Sequence, residues 1–95
     1  MLSPEEQLLR RFFETARLLD TTLLAKYATV TFNPLTEGVV QTFDVEEIDE
    51  NDVSKLVRVR ADVRSPDGGA GTRTLLVTMQ RQGSSWVITG LRDAP

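Results

Sequence analysis

The sequence contains neither histidine nor cysteine. A chain without these residues lacks the usual general base near neutral pH, thiol nucleophiles, disulfides and the ligands of nearly all zinc sites. Catalysis by serine–histidine or cysteine–histidine pairs is therefore excluded. The missing cysteines leave the compartment open, because a protein without thiols is compatible with reducing and with oxidising surroundings.

Positive charge is also scarce, since 11 lysines and arginines stand against 14 acidic residues, for a formal charge of −3. Non-specific binding to nucleic acid or to an anionic membrane requires a dense positive field that displaces counterions. We therefore expect no nucleic-acid partner. No apolar run approaches the roughly 20 residues that span a bilayer, and no signal peptide is visible, so we expect a soluble chain without membrane insertion. A cytoplasmic location is the default, and the alternative is the soluble domain of an exported protein whose leader was removed upstream of Leu2.

A chain of 95 residues is the size of one small domain, so we assign residues 1–95 to a single unit. Ser3 as N-cap, Pro4 at the first helical position and Glu6 as partner of the cap predict a helix over residues 4–19. Apolar residues at three- and four-residue spacing give this helix one stripe that faces a sheet: Leu8, Leu9, Phe12, Phe13, Ala16, Leu19 and Leu23. Asp20 offers a second N-cap for a short helix that reaches Tyr27.

Beyond the helices the sequence pattern predicts an extended backbone. Residues 29–32 read as extended chain, and residues 35–38 as a turn after Asn33-Pro34. Alternation of period two then predicts four strands over residues 39–47, 55–64, 72–82 and 85–92. Because the loops between them are short, the strands should form an antiparallel meander. The expected fold class is α+β, with the helices packed on a four-stranded antiparallel sheet.

The last hairpin assigns residues to the two faces of this sheet. A two-residue turn at Gly83-Ser84 pairs Gln82 with Ser85. That register places one apolar set toward the helix: Leu75, Val77, Met79, Trp86 and Ile88. On the outer face it pairs Leu76 with Leu91, Thr78 with Thr89 and Gln80 with Val87.

Arginines alternate with valines in the second strand, so Arg58 and Arg60 should point outward beside Asp44 and Glu46 of the first strand. Two interpretations follow: cross-strand ion pairs that contribute roughly 0.2–1 kcal/mol each, or an anion site. Neighbouring carboxylates weaken the field of an anion site, which favours the ion pairs.

The outer face is not uniformly polar, because leucine, valine and threonine interleave near the last two strands, with Val40 and Thr42 on the first. Such a strip bordered by arginine is typical of a two-fold contact between sheets. The predicted homodimer interface comprises Leu76, Thr78, Val87, Thr89, Leu91, Arg58 and Arg60. The alternative is a set of scattered surface leucines without a role.

Three other patterns in the sequence are candidate sites. The acidic run at residues 44–52 lacks the glycine and glutamate of an EF-hand loop, so a solvated turn is favoured over a metal site. The glycine-rich residues 65–72 join two strands without the lysine of a P-loop. Tyr27, Phe32 and Trp86 either pack in the core or line a pocket for a small apolar ligand under the helices. We expect no cofactor.

The N-terminal helix, residues 18–27 (LLDTTLLAKY) and a meander that ends in residues 85–91 (SWVITGL) resemble the nuclear transport factor two-like superfamily. The resemblance implies a cystatin-like α+β roll. It also implies either an isomerase, dehydratase or epoxide hydrolase with a conical pocket between helix and sheet, or a noncatalytic member that dimerises through its sheet. The chain is shorter than the enzymes, lacks one closing helix, and has no histidine and no sheet carboxylate that points inward. We therefore expect a noncatalytic binding or assembly module that is homodimeric, with a small lyase or isomerase using a buried acid as the alternative.

Overall fold

The computed structural model of the chain describes residues 3–94. Two helices precede four strands: α1 (Pro4–Arg17), α2 (Thr21–Leu24), β1 (Val39–Glu50), β2 (Ser54–Arg64), β3 (Ala70–Gln82) and β4 (Ser85–Asp93). The strands form one antiparallel sheet in the order β1-β2-β3-β4. The predicted α+β class and the antiparallel meander are therefore confirmed.

Helix α1 begins at the predicted cap. The Ser3 hydroxyl oxygen accepts a hydrogen bond from the Glu6 amide at 3.2 Å and donates one to the Glu6 carboxylate at 3.1 Å. The helix ends at Arg17, earlier than the predicted residue 19, because Leu19 adopts a left-handed conformation with φ of 58°. The side chain of Leu19 is 54% exposed, so its place in the apolar stripe was wrong.

Asp20 caps the second helix as predicted, since its carboxylate accepts a hydrogen bond from the Leu23 amide at 3.0 Å. Helix α2 ends at Leu24 and does not reach Tyr27. The segment that was expected to be extended at 29–32 forms no strand; one parallel bridge joins Ala28 to Ile88 instead. This bridge places the chain after α2 along the free edge of β4.

The core lies between α1 and the face of the sheet that it covers. Phe13 is the middle member of an aromatic cluster in this core, with its ring centroid 5.2 Å from that of Phe12, 5.8 Å from Phe32 and 5.6 Å from Phe43. Fully burying a large apolar side chain stabilises a fold by roughly 1.5–3 kcal/mol. The buried sheet residues that belong to the same core cluster as the α1 residues are Val57, Val59, Ala61, Val63, Leu75, Val77, Met79 and Ile88. These contacts hold the helix on the sheet.

The register of the last hairpin is confirmed near its turn and shifts farther along. Pairs from Gln82–Ser85 to Met79–Ile88 are as predicted, but a bulge between Thr78 and Met79 then pairs Thr78 with Gly90 and Val77 with Leu91. One extra residue reverses the side-chain alternation beyond it. Leu91 therefore packs against the core, and its assignment to the outer face was wrong.

A second bulge corrects the assignment of another residue. In β1 the register shifts between Val40 and Thr42, so Val40 pairs with Val63 and packs against the core rather than facing outward. Thr42 pairs with Asp62 on the outer face. Phe43 and Val45 pack against the core as predicted.

Charged side chains close the two ends of the core. At one end Arg73 donates hydrogen bonds to Asp93 at 2.7 and 3.0 Å and to Glu37 at 2.9 Å, with its guanidinium 5.5 Å from the Phe32 ring centroid. Burial lowers the pKa of Arg73, but the hydrogen bonds to the two carboxylates outweigh burial and raise that pKa overall. At the other end Lys55 contacts Glu5 at 2.9 Å.

Among residues 3–94, no helix combines the length and the apolar composition that crossing a bilayer requires.

Candidate functional site

The outer face of the sheet, meaning the face turned away from α1, carries an apolar strip across β2, β3 and β4. The register aligns Leu56, Thr78 and Gly90 in one row across the three strands. The next row on this face aligns Arg58, Leu76 and Arg92. Val87 pairs with Gln80 beside these rows. We call Leu56, Leu76, Thr78, Val87 and Gly90 the outer strip.

The corrected register changes the membership of this strip relative to the sequence prediction. Leu76, Thr78 and Val87 remain in it, and Leu91 leaves it. Thr89 lies at the bulge, where it has no cross-strand partner in the register. Leu56, 39% exposed, joins the strip. The sequence could have predicted this position, because Leu56 is two residues from Arg58 in a strictly alternating strand and so lies on the same face.

The arginines of β2 are engaged with carboxylates of β1. Arg58 lies 3.7 Å from Glu46, and Arg60 lies 3.7 Å from Asp44. The predicted cross-strand ion pairs are therefore confirmed. All four side chains are substantially exposed, so each pair contributes at most about 1 kcal/mol. Because each guanidinium has a carboxylate beside it, neither provides the uncompensated charge that an anion site needs.

Asp62 joins three strands on the outer face, a contact that the sequence analysis missed. Its carboxylate accepts hydrogen bonds from Thr42 of β1 at 2.8 Å and from Thr72 of β3 at 3.1 Å. These two hydrogen bonds hold the pKa of Asp62 below 3.8, with a smaller contribution from the charge of Arg60. Alternation placed Asp62 outward, but only the cross-strand register brings the two threonines to it.

Unpaired side chains of opposite charge lie at the two sides of the outer face. Within residues 3–94, Glu47 and Asp49 of β1 form no ion pair or hydrogen bond through their side chains, and the same is true of Arg92 on β4. Glu47 pairs with Arg58 in the register, and Asp49 pairs with Leu56 of the outer strip. The strip therefore lies between an acidic edge and an arginine.

The three aromatic residues that were predicted to line a pocket lie against cations. Tyr27 has the guanidinium of Arg11 6.0 Å from its ring centroid. Trp86 has the Lys55 ammonium at 4.4 Å and the Arg81 guanidinium at 5.2 Å. Phe32 is buried against Phe13 and beneath Arg73. Ligand binding at these three rings stays a prediction.

The alternative of an enzyme requires a carboxyl group in a closed cavity. Asp20, Asp44 and Asp62 are exposed, and all three are engaged elsewhere, in the α2 cap, in the ion pair with Arg60 and in the threonine pair. The least exposed carboxylate among the ion pairs of the described chain is that of Glu5, at 13%, and it is held by Lys55. The three exposed aspartates do not supply the desolvated group that general acid–base catalysis uses, and the desolvated Glu5 is paired with Lys55.

Compared with family models, with curated proteins and with solved structures, the chain finds no match in any of the three comparisons. The resemblance to the nuclear transport factor two-like superfamily therefore stays a prediction from the sequence pattern and the order of the elements.

Proposed function

We propose that this protein is a noncatalytic assembly module that forms a homodimer through the outer face of its sheet. The observation that carries the proposal is the outer strip, where Leu56 is exposed and Leu76 is half-buried on the sheet face turned away from α1, beside the buried Val87. Single exposed leucines are ordinary on protein surfaces, but Leu56 and Leu76 are diagonal neighbours on adjacent strands and form one apolar patch, which is typical of an interaction surface.

The distribution of charge supports a second copy of the chain as the partner. A two-fold axis along the strands would stack β1 of one copy over β4 of the other. The acidic side chains Glu47 and Asp49 would then face Arg92 of the second copy. Such a contact is self-complementary, as a two-fold interface must be. In this contact the unpaired carboxylates of Glu47 and Asp49 and the unpaired guanidinium of Arg92 each meet a group of opposite charge.

The finer classification as a nuclear transport factor two-like, cystatin-like roll belongs to the same proposal. Its support is the element order, with α1 and α2 preceding the meander, and the packing of α1 across one face of the sheet. Noncatalytic members of that superfamily associate through their sheets, which agrees with the proposed dimer.

Replacing Leu76 with arginine tests the proposal. The new charge would be buried in the interface of each subunit, so we expect the variant to sediment as a monomer with an unchanged far-ultraviolet circular dichroism spectrum. The matched control is Leu35→Arg, which places the same substitution at a leucine that is 70% exposed outside the sheet. The control should keep the oligomeric state of the parent protein. Dimers in both variants would contradict the proposed interface.

A further inference from the structure

A cleft of about 360 Å³ lies between α1 and the first half of β1, away from the outer strip. Its helical side is formed by Glu6, Arg10, Phe13, Glu14 and Arg17, and its sheet side by Val40, Gln41, Thr42 and Phe43. The bulge between Val40 and Thr42 shapes the sheet side, because it turns Val40 toward the helix. A cleft of this volume is at the lower end of the range for small-molecule sites.

The cleft has an apolar side formed by Phe13, Val40 and Phe43, which belong to the core or pack against it. Among these, Phe43 and Val40 are only partly buried, so part of their surface remains available. An apolar molecule in the cleft would remove this surface from water, which is favourable in proportion to the area covered.

The polar groups of the cleft differ in whether they are already engaged. Arg10 pairs with Glu14 at 3.4 Å, and Glu6 accepts a hydrogen bond from the Ser3 hydroxyl. Within residues 3–94, Arg17 forms neither an ion pair nor a hydrogen bond through its guanidinium, and the side-chain amide of Gln41 is equally without a partner. The cleft thus presents the unpaired guanidinium of Arg17 and the unpaired amide of Gln41 beside an apolar wall. The charge of Glu14 is offset by Arg10, whereas Glu6 keeps its negative charge because the Ser3 hydroxyl is a neutral donor.

We infer that this cleft binds a small amphipathic carboxylate. Its hydrocarbon part would lie on Phe13, Val40 and Phe43, and its carboxylate would accept hydrogen bonds from Arg17. A guanidinium and a carboxylate form a charge-assisted, bidentate pair, which fixes the orientation of the ligand. An extended peptide fits this site less well, because two bulges and a series of acidic side chains interrupt the edge of β1.

Octanoate, octanol and octyltrimethylammonium are suitable probes, because they share a hydrocarbon chain and differ in the charge of the head group. Titration followed by amide NMR shifts should show the tightest binding for octanoate, weaker binding for octanol and the weakest for the cation. The amides that shift should be those of the cleft, around Phe13, Val40 and Phe43. Equal affinity for the three probes, or shifts centred elsewhere, would overturn the inference.

Variants separate the role of Arg17 from the effect of total charge. Arg17→Gln should weaken octanoate binding about tenfold and leave octanol binding unchanged, since a charge-assisted hydrogen bond is worth about the 1.4 kcal/mol that corresponds to a tenfold change. The control Lys26→Gln removes the same charge from an exposed position outside the cleft. Equal losses of octanoate affinity in the two variants would contradict a specific role for Arg17.

The site and the proposed dimer are independent, because the cleft does not include the outer strip. Leu76→Arg should therefore bind octanoate as tightly as the parent protein. If octanoate binding fails while the parent protein is dimeric, only the cleft assignment is wrong.

Discussion

At the scale of the residue, Lys55 shows how a charge is accommodated on the core side of the sheet. It is 8% exposed, its ammonium lies 2.9 Å from Glu5 of α1, and the ring of Trp86 lies beneath it. A buried ammonium is costly unless it is paired, and this pair joins the first turn of α1 to the sheet. Alternation predicts an inward side chain at this position, but a sequence pattern does not show which carboxylate meets it.

Removing one member of this pair should destabilise the fold. Lys55→Met leaves the Glu5 carboxylate, which is 13% exposed, without its counterion, and we expect a loss of about 2–3 kcal/mol in the free energy of unfolding. Urea denaturation measures the loss. In the double variant Glu5→Gln, Lys55→Met, no uncompensated charge remains, so part of the stability should return.

The control for this experiment is an ion pair with exposed members. Arg10 and Glu14 are 63% and 65% exposed, so Arg10→Met should change the free energy of unfolding by less than about 1 kcal/mol. If both lysine and arginine variants lose the same small amount, burial does not strengthen the contact between α1 and the sheet.

Asp62 gives a prediction for pH. Because the hydrogen bonds from Thr42 and Thr72 hold its folded-state pKa below 3.8, its contribution to stability is present above pH 3.8 and is lost as pH falls through the folded-state pKa. Replacing both threonines with valine should raise the pKa toward 3.8, as measured by NMR titration of the carboxyl carbon. Arg60→Gln should raise it less, since its charge contributes less than either hydrogen bond. A larger shift for the arginine variant would contradict this order of causes.

At the scale of the element, the signals carried by particular residue types predicted most of the structure. Ser3 and Asp20 cap their helices with the hydrogen bonds that their positions indicated. The strict alternation of β2 gave the correct face for every valine from 57 to 63. Near the turn of the last hairpin, Gly83 set the register correctly, and its φ of 63° is the conformation that such a turn needs.

The wrong predictions concern places where a strand bulges or a helix ends without a residue type that signals it. The bulges in β1 and in the β3–β4 pair put Val40 and Leu91 on the face of the sheet opposite to the predicted one. Side chains alternate between the two faces along a strand, so one extra residue reverses the face of the residues beyond it. Helix α1 stopped at Arg17 although the apolar spacing continued. Leu19 takes a left-handed conformation there, which leucine rarely adopts and no propensity predicts.

Gly38, directly before β1, provides a test at this scale. It has φ of 97°, and a Cβ atom there would collide with the carbonyl oxygen of Arg64. Gly38→Ala should therefore cost roughly 2–3 kcal/mol, because backbone strain and a steric clash both oppose it. Thermal or urea denaturation would measure this cost.

Gly68 is the matched control, since its φ is 92° and a Cβ atom there would meet nothing within 4 Å. Gly68→Ala should cost only the backbone strain, about 1 kcal/mol. Equal costs for the two variants would show that the chain between residues 38 and 64 shifts to accommodate the new atom.

At the scale of the whole molecule, the sheet has one face covered by α1 and one face that carries the outer strip. Sequence alternation identified most of that strip, including Leu76, Thr78 and Val87. It did not identify the cleft beside Arg17, because that cleft is formed by residues of α1 and β1 that meet only in the folded chain. Local sequence patterns therefore did not predict which residues far apart in the sequence come together in the candidate sites.

The central claim is that the outer strip is covered by a second copy of the chain. Sedimentation equilibrium of the unmodified protein at micromolar concentration tests this claim most directly. The proposal predicts a mass twice the 10.6 kDa of the chain. A single species of 10.6 kDa across that concentration range would contradict it.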